Sequence, residues 1–303
     1  MMHWVSRFFL LVIASCLFVQ CDKDLEEEML VAENKRIESF LSSYDYNFEN
    51  GVFHAIISPG YSYKIVTGDT VAFWYKGYTL DNIIFETNIK SEAIAAGLDT
   101  TTRSFDSIVF VAGSGELIDG LNRGMYLCCE YEKSKIVFSS IYGFGSQNIG
   151  PISQWSPLGY DVEIVYVTNS KIRNERAIIQ QLVNNAGYRL TMHSTGLWYS
   201  IASFSASGTN AEVGDTVYGS YTGLTPDGNI FIETQYPNQQ VVIGDEGMPY
   251  GLSVGFSLLR PGERASLIVP SPIGYGVDGN SEYMVEPYTP LLYEIRLDSL
   301  KTK

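Results

Sequence analysis

The sequence predicts an α+β protein in which one helix-plus-sheet module is written twice, each copy preceded by an extra helix. Three observations carry this. A Gly-Asp-Thr-Val segment occurs at 68–71 and again at 214–217. Short runs rich in β-branched and aromatic residues outnumber helical stretches. The landmarks after each copy come in the same order: Phe85 and Phe231, like the two Gly-Asp segments, lie 146 residues apart, and Gly113/Gly244, Leu121/Leu252, Glu132/Glu263 and Gly145/Gly276 lie 131 apart. The stretch between Lys90 and Asp106, polar and rich in small residues, is long enough to hold the difference and reads as an insertion loop in the first copy.

In chain order, Arg7 precedes an apolar run at 8–19 that is too short to span a bilayer and reads as a signal segment. An acidic stretch, 22–28, follows as a solvated tether. Leu30, Ile37, Phe40 and Leu41 recur at helical spacing and predict a helix over 29–46, broken by Asn50-Gly51. A strand over 52–57 leads to the first hairpin. Strands follow at 108–111, 133–139 and 160–167, with a short helix at 116–125 and a glycine-rich loop from 141 to 157. A helix over 171–186, capped by Gly187, opens the second copy. Its strands are expected at 196–201, from 214, at 241–243, 265–269 and 291–297, with a short helix at 248–259. The resulting division is a signal peptide at 1–21, tether and helix at 22–50, a first domain at 51–169, a linker helix at 170–190 and a second domain at 191–300.

Charge and residue counts exclude several functions. A net charge of −14 argues against nucleic acid, whose phosphates need clustered Lys and Arg. With three histidines, His54 and His193 read as isolated, so no metal is expected. Gly113-Ser114-Gly115 lacks the Lys of a phosphate loop, and Asp278-Gly279-Asn280 lacks the acid spacing of a calcium loop. Cys128 and Cys129, as neighbours, read as two free, partly buried thiols.

The apolar run ending at Cys and followed by acids resembles a bacterial lipoprotein signal, in which that Cys becomes the lipidated first residue. Cys21 is favoured because cleavage there leaves a polar terminus, whereas Cys16 sits in the better small-residue context but would expose Leu17, Phe18 and Val19. An ordinary cleaved signal or an uncleaved anchor is the alternative. The expected address is the bacterial cell envelope, with the membrane met only through this lipid.

The ordered set of Gly-Asp-Thr-Val, Tyr-x-Gly, a Phe on the return strand, a strand ending in Gly, a Leu/Ile helix, a Glu-Lys or Glu-Arg turn and an aromatic-Gly loop resembles an FKBP-type peptidyl-prolyl isomerase domain, over roughly 52–168 and 196–299. That resemblance implies, for each copy, an antiparallel sheet wrapped around a short helix, and isomerisation of proline-containing polypeptides with no cofactor. It assigns Tyr75, Phe85, Glu86, Ile118, Phe144 and Tyr160 to a first reacting pocket, with Ile108 and Phe110 on its wall and Leu117 and Leu121 on its floor. The second pocket would be Tyr221, Phe231, Val241, Met248, Leu252, Tyr275 and Tyr293. Both copies depart from the family. Leu121 and Leu252 replace the floor Trp, and Phe144 lacks the family's phenol. Pro249 lacks the N–H of a substrate-facing position, and Ile232 replaces the acid unless a one-residue slip brings in Glu233. Weak activity, mainly in the first copy, is the expectation. A non-catalytic peptide clamp is the alternative, and a surface glycan adhesin, prompted by 21 Tyr, a more distant one.

Overall fold

The structure, a computed structural model, describes residues 27–203, 208–234, 239–245 and 247–303. The signal segment with Cys16 and Cys21 lies outside the described residues. The chain divides into two compact units. The first runs through Pro59 and adds Ala72–Cys128 and Glu132–Val165. The second takes Gly60–Val71, Cys129–Tyr131 and Tyr166–Lys303.

The two sheets have one topology. The first runs β1 (Asn47–Glu49), β2 (Val52–Ser58), β6 (Lys133–Phe138), β7 (Leu158–Thr168), β3 (Thr70–Thr79), β4 (Ile84–Thr87), with β5 (Ile108–Val111) also on β3. The second repeats it as β8 (Thr191–Met192), β9 (Trp198–Ser203), β13 (Glu263–Val269), β14 (Leu291–Lys301), β10 (Thr216–Leu224), β11 (Ile230–Glu233), with β12 (Gln239–Val242) on β10. The duplicated Gly-Asp has a local cause. Asp69 and Asp215 are buried, and each accepts a hydrogen bond from the N–H three residues earlier, Val66 and Glu212, both at 2.9 Å. Each carboxylate thereby closes the turn that feeds the long strand.

The helices are α1 (covering 27–40), α2 (Lys90–Ala95), α3 (Asp119–Met125), α4 (Ser170–Asn185) and α5 (Tyr250–Ser257). α3 lies hard against its sheet because it carries glycine where it touches. A Cβ on Gly120 would come within 2.2 Å of the Phe138 ring, and one on Gly124 within 2.2 Å of Ile136. Gly251 and Gly255 of α5 do the same against Val269 and Leu267. α1 ends earlier than periodicity predicts. Asn50 and Gly51 then both take positive φ (53° and 82°) and turn the β1–β2 hairpin. Ile37 and Leu41 are buried with Phe53 and Val137, so this helix belongs to the first core. The expected insertion loop also holds structure: α2 forms at its start, with Ala93 buried. Cys128 and Cys129 are buried and not joined in a disulfide.

Candidate active site

In the first module the site grows from a bulge. β3 pairs with β4 as Gly77 opposite Glu86, and the register shifts at Tyr78. The bulge lays Phe85 over Gly77, where a Cβ would come within 2.9 Å of both the Phe85 and Tyr160 rings. Only glycine leaves the two rings room to meet. They do so edge-to-face, centroids 5.8 Å apart, and Tyr75 adds a third ring 6.1 Å from Tyr160. The Tyr160 hydroxyl donates to Glu86 Oε1 at 2.8 Å. Tyr75, Phe85 and Glu86 are half-buried, so the cluster keeps an open side.

Tyr160 is not a wall of this site but its back. It is 1% exposed and stacked on Phe138 at 5.9 Å. Phe110, expected on the wall, is likewise buried, packed edge-on against Phe73, while Ile108 of the same strand is exposed at the rim. Leu121 is buried as a floor, and Leu117 and Ile118 are half-buried. The helix predicted from Glu116 begins only at Asp119. Ile118 is its N-cap in extended backbone (φ −57°, ψ 144°) and so stays outside the helical turn. Burial and the neighbouring Glu86 push the Tyr75 phenol up to about 12, with Arg103 opposing, so its proton stays in place as a donor. Burial first, then Glu86, raises Tyr160 as well.

The second module repeats the frame. Gly223 sits under Phe231 and Tyr293, a Cβ there coming within 2.6 and 2.8 Å of them. Tyr293 is 1% exposed, Leu252 is buried beneath, and Tyr221, Val241, Met248 and Tyr275 pack partly buried against the same core. The register settles the acid: Gly223 pairs with Ile232, as Gly77 does with Glu86, and Glu233 is exposed one residue on. There is no slip. With no carboxylate to take it, the Tyr293 hydroxyl is bonded to Tyr275 instead. Pro249 is the N-cap of α5 with φ −51° and ψ 130°, close to the angles of Ile118, and has no N–H to offer there.

Several residues here were invisible in the sequence. Tyr283, on the loop before β14, joins Phe231 (6.2 Å) and Tyr275 (6.1 Å) and lines, with Phe231, a cleft of about 600 Å³. Glu33 of α1 accepts from Ser140 N (2.7 Å) and Ser140 Oγ (2.8 Å), at the head of the 3-10 turn leading to Phe144. Glu175 of α4 does the same for Ser271, both bonds 2.6 Å, ahead of Tyr275. Each preceding helix thus fixes the loop carrying a pocket aromatic. The one readable signal was a Glu on the core face of each helix. His54 is also not isolated: β2–β6 pairing brings it against Glu132 and Ser134, with Cys128 beside it.

A family model described as FKBP-type peptidyl-prolyl cis-trans isomerase matches residues 62–165 and 207–298, well over half of the chain. Among curated relatives, human peptidyl-prolyl cis-trans isomerase FKBP9 is 23% identical over 215 residues, 70% of this chain and 32% of that protein. FK506-binding protein 2 of Aspergillus oryzae is 30% identical over 102 residues, 34% of this chain and 67% of that protein. The chain therefore spans about a third of the mammalian relative's length. Among solved structures, the three FKBP domains of wheat FKBP73 align over 86% of this chain and 100% of that one, with 18% identity and a TM-score of 0.35. A peptidyl-prolyl isomerase of Pseudomonas syringae aligns over 44% of this chain and 95% of that one, with 22% identity and a TM-score of 0.39.

Proposed function

Because this chain belongs to the FKBP-type peptidyl-prolyl cis-trans isomerase family, carrying its domain twice, we propose that it isomerises X-Pro bonds of polypeptides, chiefly through its first module. The reaction needs no nucleophile. Rotation breaks amide resonance at about 18–20 kcal/mol, and the twisted amide is less polar than the planar one. A site that offers ring faces in place of water favours the twisted form.

The observation that carries this reading is the half-open surface of Tyr75 and Phe85 laid against the buried Tyr160. In this reading the protonated Tyr75 hydroxyl and the Ile118 N–H hold carbonyls flanking the proline. Glu86 keeps its carboxylate fixed through Tyr160. The second module has a comparable ring cluster but offers a prolyl nitrogen and Ile232 where the first has an N–H and an acid. Each missing hydrogen bond costs about 0.5–1.5 kcal/mol, a several-fold loss of rate.

The test is a proline-peptide exchange assay on the full chain. Phe85→Ala should lower the rate by about tenfold or more, which is ~1.4 kcal/mol, and Phe231→Ala should lower it by less than about twofold. A rate that neither substitution changes rejects catalysis at these sites. The clamp reading is favoured by Phe144, which brings no hydroxyl to the first site. It is chosen if proline peptides bind, lose affinity in Phe85→Ala, and are not turned over. The same proposal holds the protein at a bacterial envelope through a lipid on Cys21, supported by the sequence of 7–28. Labelled-lipid incorporation that disappears in Cys21→Ser and persists in Cys16→Ser is the expected result, and the reverse pattern moves the anchor to Cys16.

A further inference from the structure

We propose that the first module contains a buried zinc site formed by His54, Cys128 and Glu132, independent of the isomerase pocket. The three come from different elements: β2, the turn after α3, and the residue just before β6. All are buried, His54 and Glu132 at 4% side-chain exposure each and Cys128 at 0%. Their ligand atoms lie within 4.8 Å of one another. His54 Nε2 is 3.7 Å from Cys128 Sγ and 2.9 Å from Glu132 Oε1. Tetrahedral zinc, with bonds of about 2.0–2.3 Å, sets N and S about 3.6 Å apart and N and O about 3.3 Å apart. The His–Cys pair already has that spacing; the carboxylate must move about 0.4 Å away from the ring nitrogen and, from as far as 4.8 Å, about 1.2 Å toward the sulfur, a side-chain rotation of Glu132.

The chemistry of the set points the same way. A thiolate, an imidazole and a carboxylate are the mixed S, N and O donors that zinc accepts. Ser134 Oγ, also 3.0 Å from Nε2, orients the carboxylate by donating to Glu132 Oε1 at 2.5 Å, and the fourth coordination position is left to water. Three groups thus converge on one ring nitrogen, which has a single proton or a single lone pair to offer. A cation can be shared by all of them. Its two positive charges cancel the thiolate and the carboxylate, leaving a neutral cluster in the interior. Zinc that enters displaces the thiol proton of Cys128.

The fold does not require this cluster. In the second module Tyr199 pairs with Leu267 as His54 pairs with Ile136, and Leu259 and Ala265 stand at the places of Cys128 and Ser134. Only the carboxylate is kept, as Glu263, and there it accepts from the backbone and side chain of Arg260. The same corner therefore closes with apolar residues, and the metal-ligating types gather in the first copy alone.

The experiment is zinc titration of the reduced full chain against a chromophoric chelator, with Co²⁺ as a spectroscopic probe. The expected result is one tightly held zinc per chain and a thiolate-to-cobalt charge-transfer band. Cys128→Leu, the residue of the second copy, should abolish the band and weaken zinc binding by more than the about 10–100-fold seen for residues behind a metal's ligands. Cys129→Ser should keep both. Zinc should raise the melting temperature of the unmutated chain and leave that of Cys128→Leu unchanged. If Cys128→Leu does not fold, Glu132→Gln, which keeps the volume and removes the charge, should show the same loss. A chain that binds no zinc, or a folded Cys128→Leu or Glu132→Gln variant that binds it undiminished, overturns the proposal.

Discussion

The two modules share what packing demands and differ in what a substrate would touch. Both bring a glycine-studded helix onto the sheet, both bury a Tyr behind a Phe laid over glycine, and both lock a 3-10 turn with a carboxylate from the preceding helix. They part at the polar positions. Tyr160 donates to Glu86, whereas Tyr293 turns to Tyr275 because Ile232 holds the acid's place. Ile118 has an N–H where Pro249, with nearly the same backbone angles, has none. A close contact admits few residues, because a Cβ at Gly223 would lie 2.6 Å from a ring. A half-exposed donor is free to change without cost to the fold. Two copies of one frame can therefore hold sites of unequal strength.

The shared carboxylate lock gives the largest effect. Removing Glu33 or Glu175 strands a buried backbone N–H and a hydroxyl that were bonded to a charged group. Glu33→Ala and Glu175→Ala should each cost about 2–4 kcal/mol. For a module of this size that lowers the melting temperature by about 10–20 °C. Differential scanning calorimetry checks it. If the modules are as alike in frame as they look, the losses agree within about 1 kcal/mol, well inside the usual scatter of such substitutions. A loss confined to one of them breaks the parallel.

The donors give smaller changes, and in opposite copies. Pro249→Ile returns an N–H to the second module and should raise its exchange rate several-fold, by about 0.5–1.5 kcal/mol. It is best read in a Phe85→Ala background, where the first module is silent. Phe144→Tyr adds a hydroxyl to the first module, and the expected gain is of the same order. No gain from either means that these donors do not limit turnover, and the difference between the copies then lies in Glu86 and Ile232.

The frame was legible because it is periodic and local. The Gly-Asp turn is closed by a side chain three residues from its partner, and the Phe-over-Gly pair lies within one hairpin. Pro249 and Ile118 were readable as a pair because copies in one chain align by subtraction, and the strand register then excluded Glu233. Long-range polar contacts were not legible. Glu33 sits 107 residues from Ser140, and Glu175 sits 96 from Ser271. His54 looked alone because its partners lie about eighty residues downstream, across a strand pair. Tyr283 belongs to a loop with no period to read. Phe110 and Tyr160 were placed on the pocket wall because sequence names neighbours without depth; both are buried behind it.

The smallest effect is a matter of pH, and it separates the copies by cause. Tyr75 and Tyr275 are both pushed up to about 12, and burial is the main reason for each. The next cause differs: the Glu86 charge for Tyr75, and the Tyr283 phenol for Tyr275. A phenol whose pKa is raised on folding holds its proton more tightly in the folded chain. Its contribution to stability is whole below the ordinary value of 10.0 and is lost as pH rises toward 12. Near neutrality neither phenol titrates, so the exchange rate should carry no tyrosine-dependent limb. Above pH 10 the copies should respond differently to one substitution. Glu86→Gln removes the charge beside Tyr75, so that phenol ionises at lower pH, the gap from its ordinary value narrows, and the first module loses less stability between pH 10 and 12. The acid that adds to the Tyr275 shift is Glu282, which this substitution leaves in place, so Tyr275 should ionise where it did before. Phenolate absorbance followed through an alkaline titration, with Tyr75→Phe and Tyr275→Phe to assign the two phenols, checks this. If Glu86→Gln leaves the Tyr75 ionisation in place, burial alone sets it, and the acid's part in the first site reduces to orienting Tyr160.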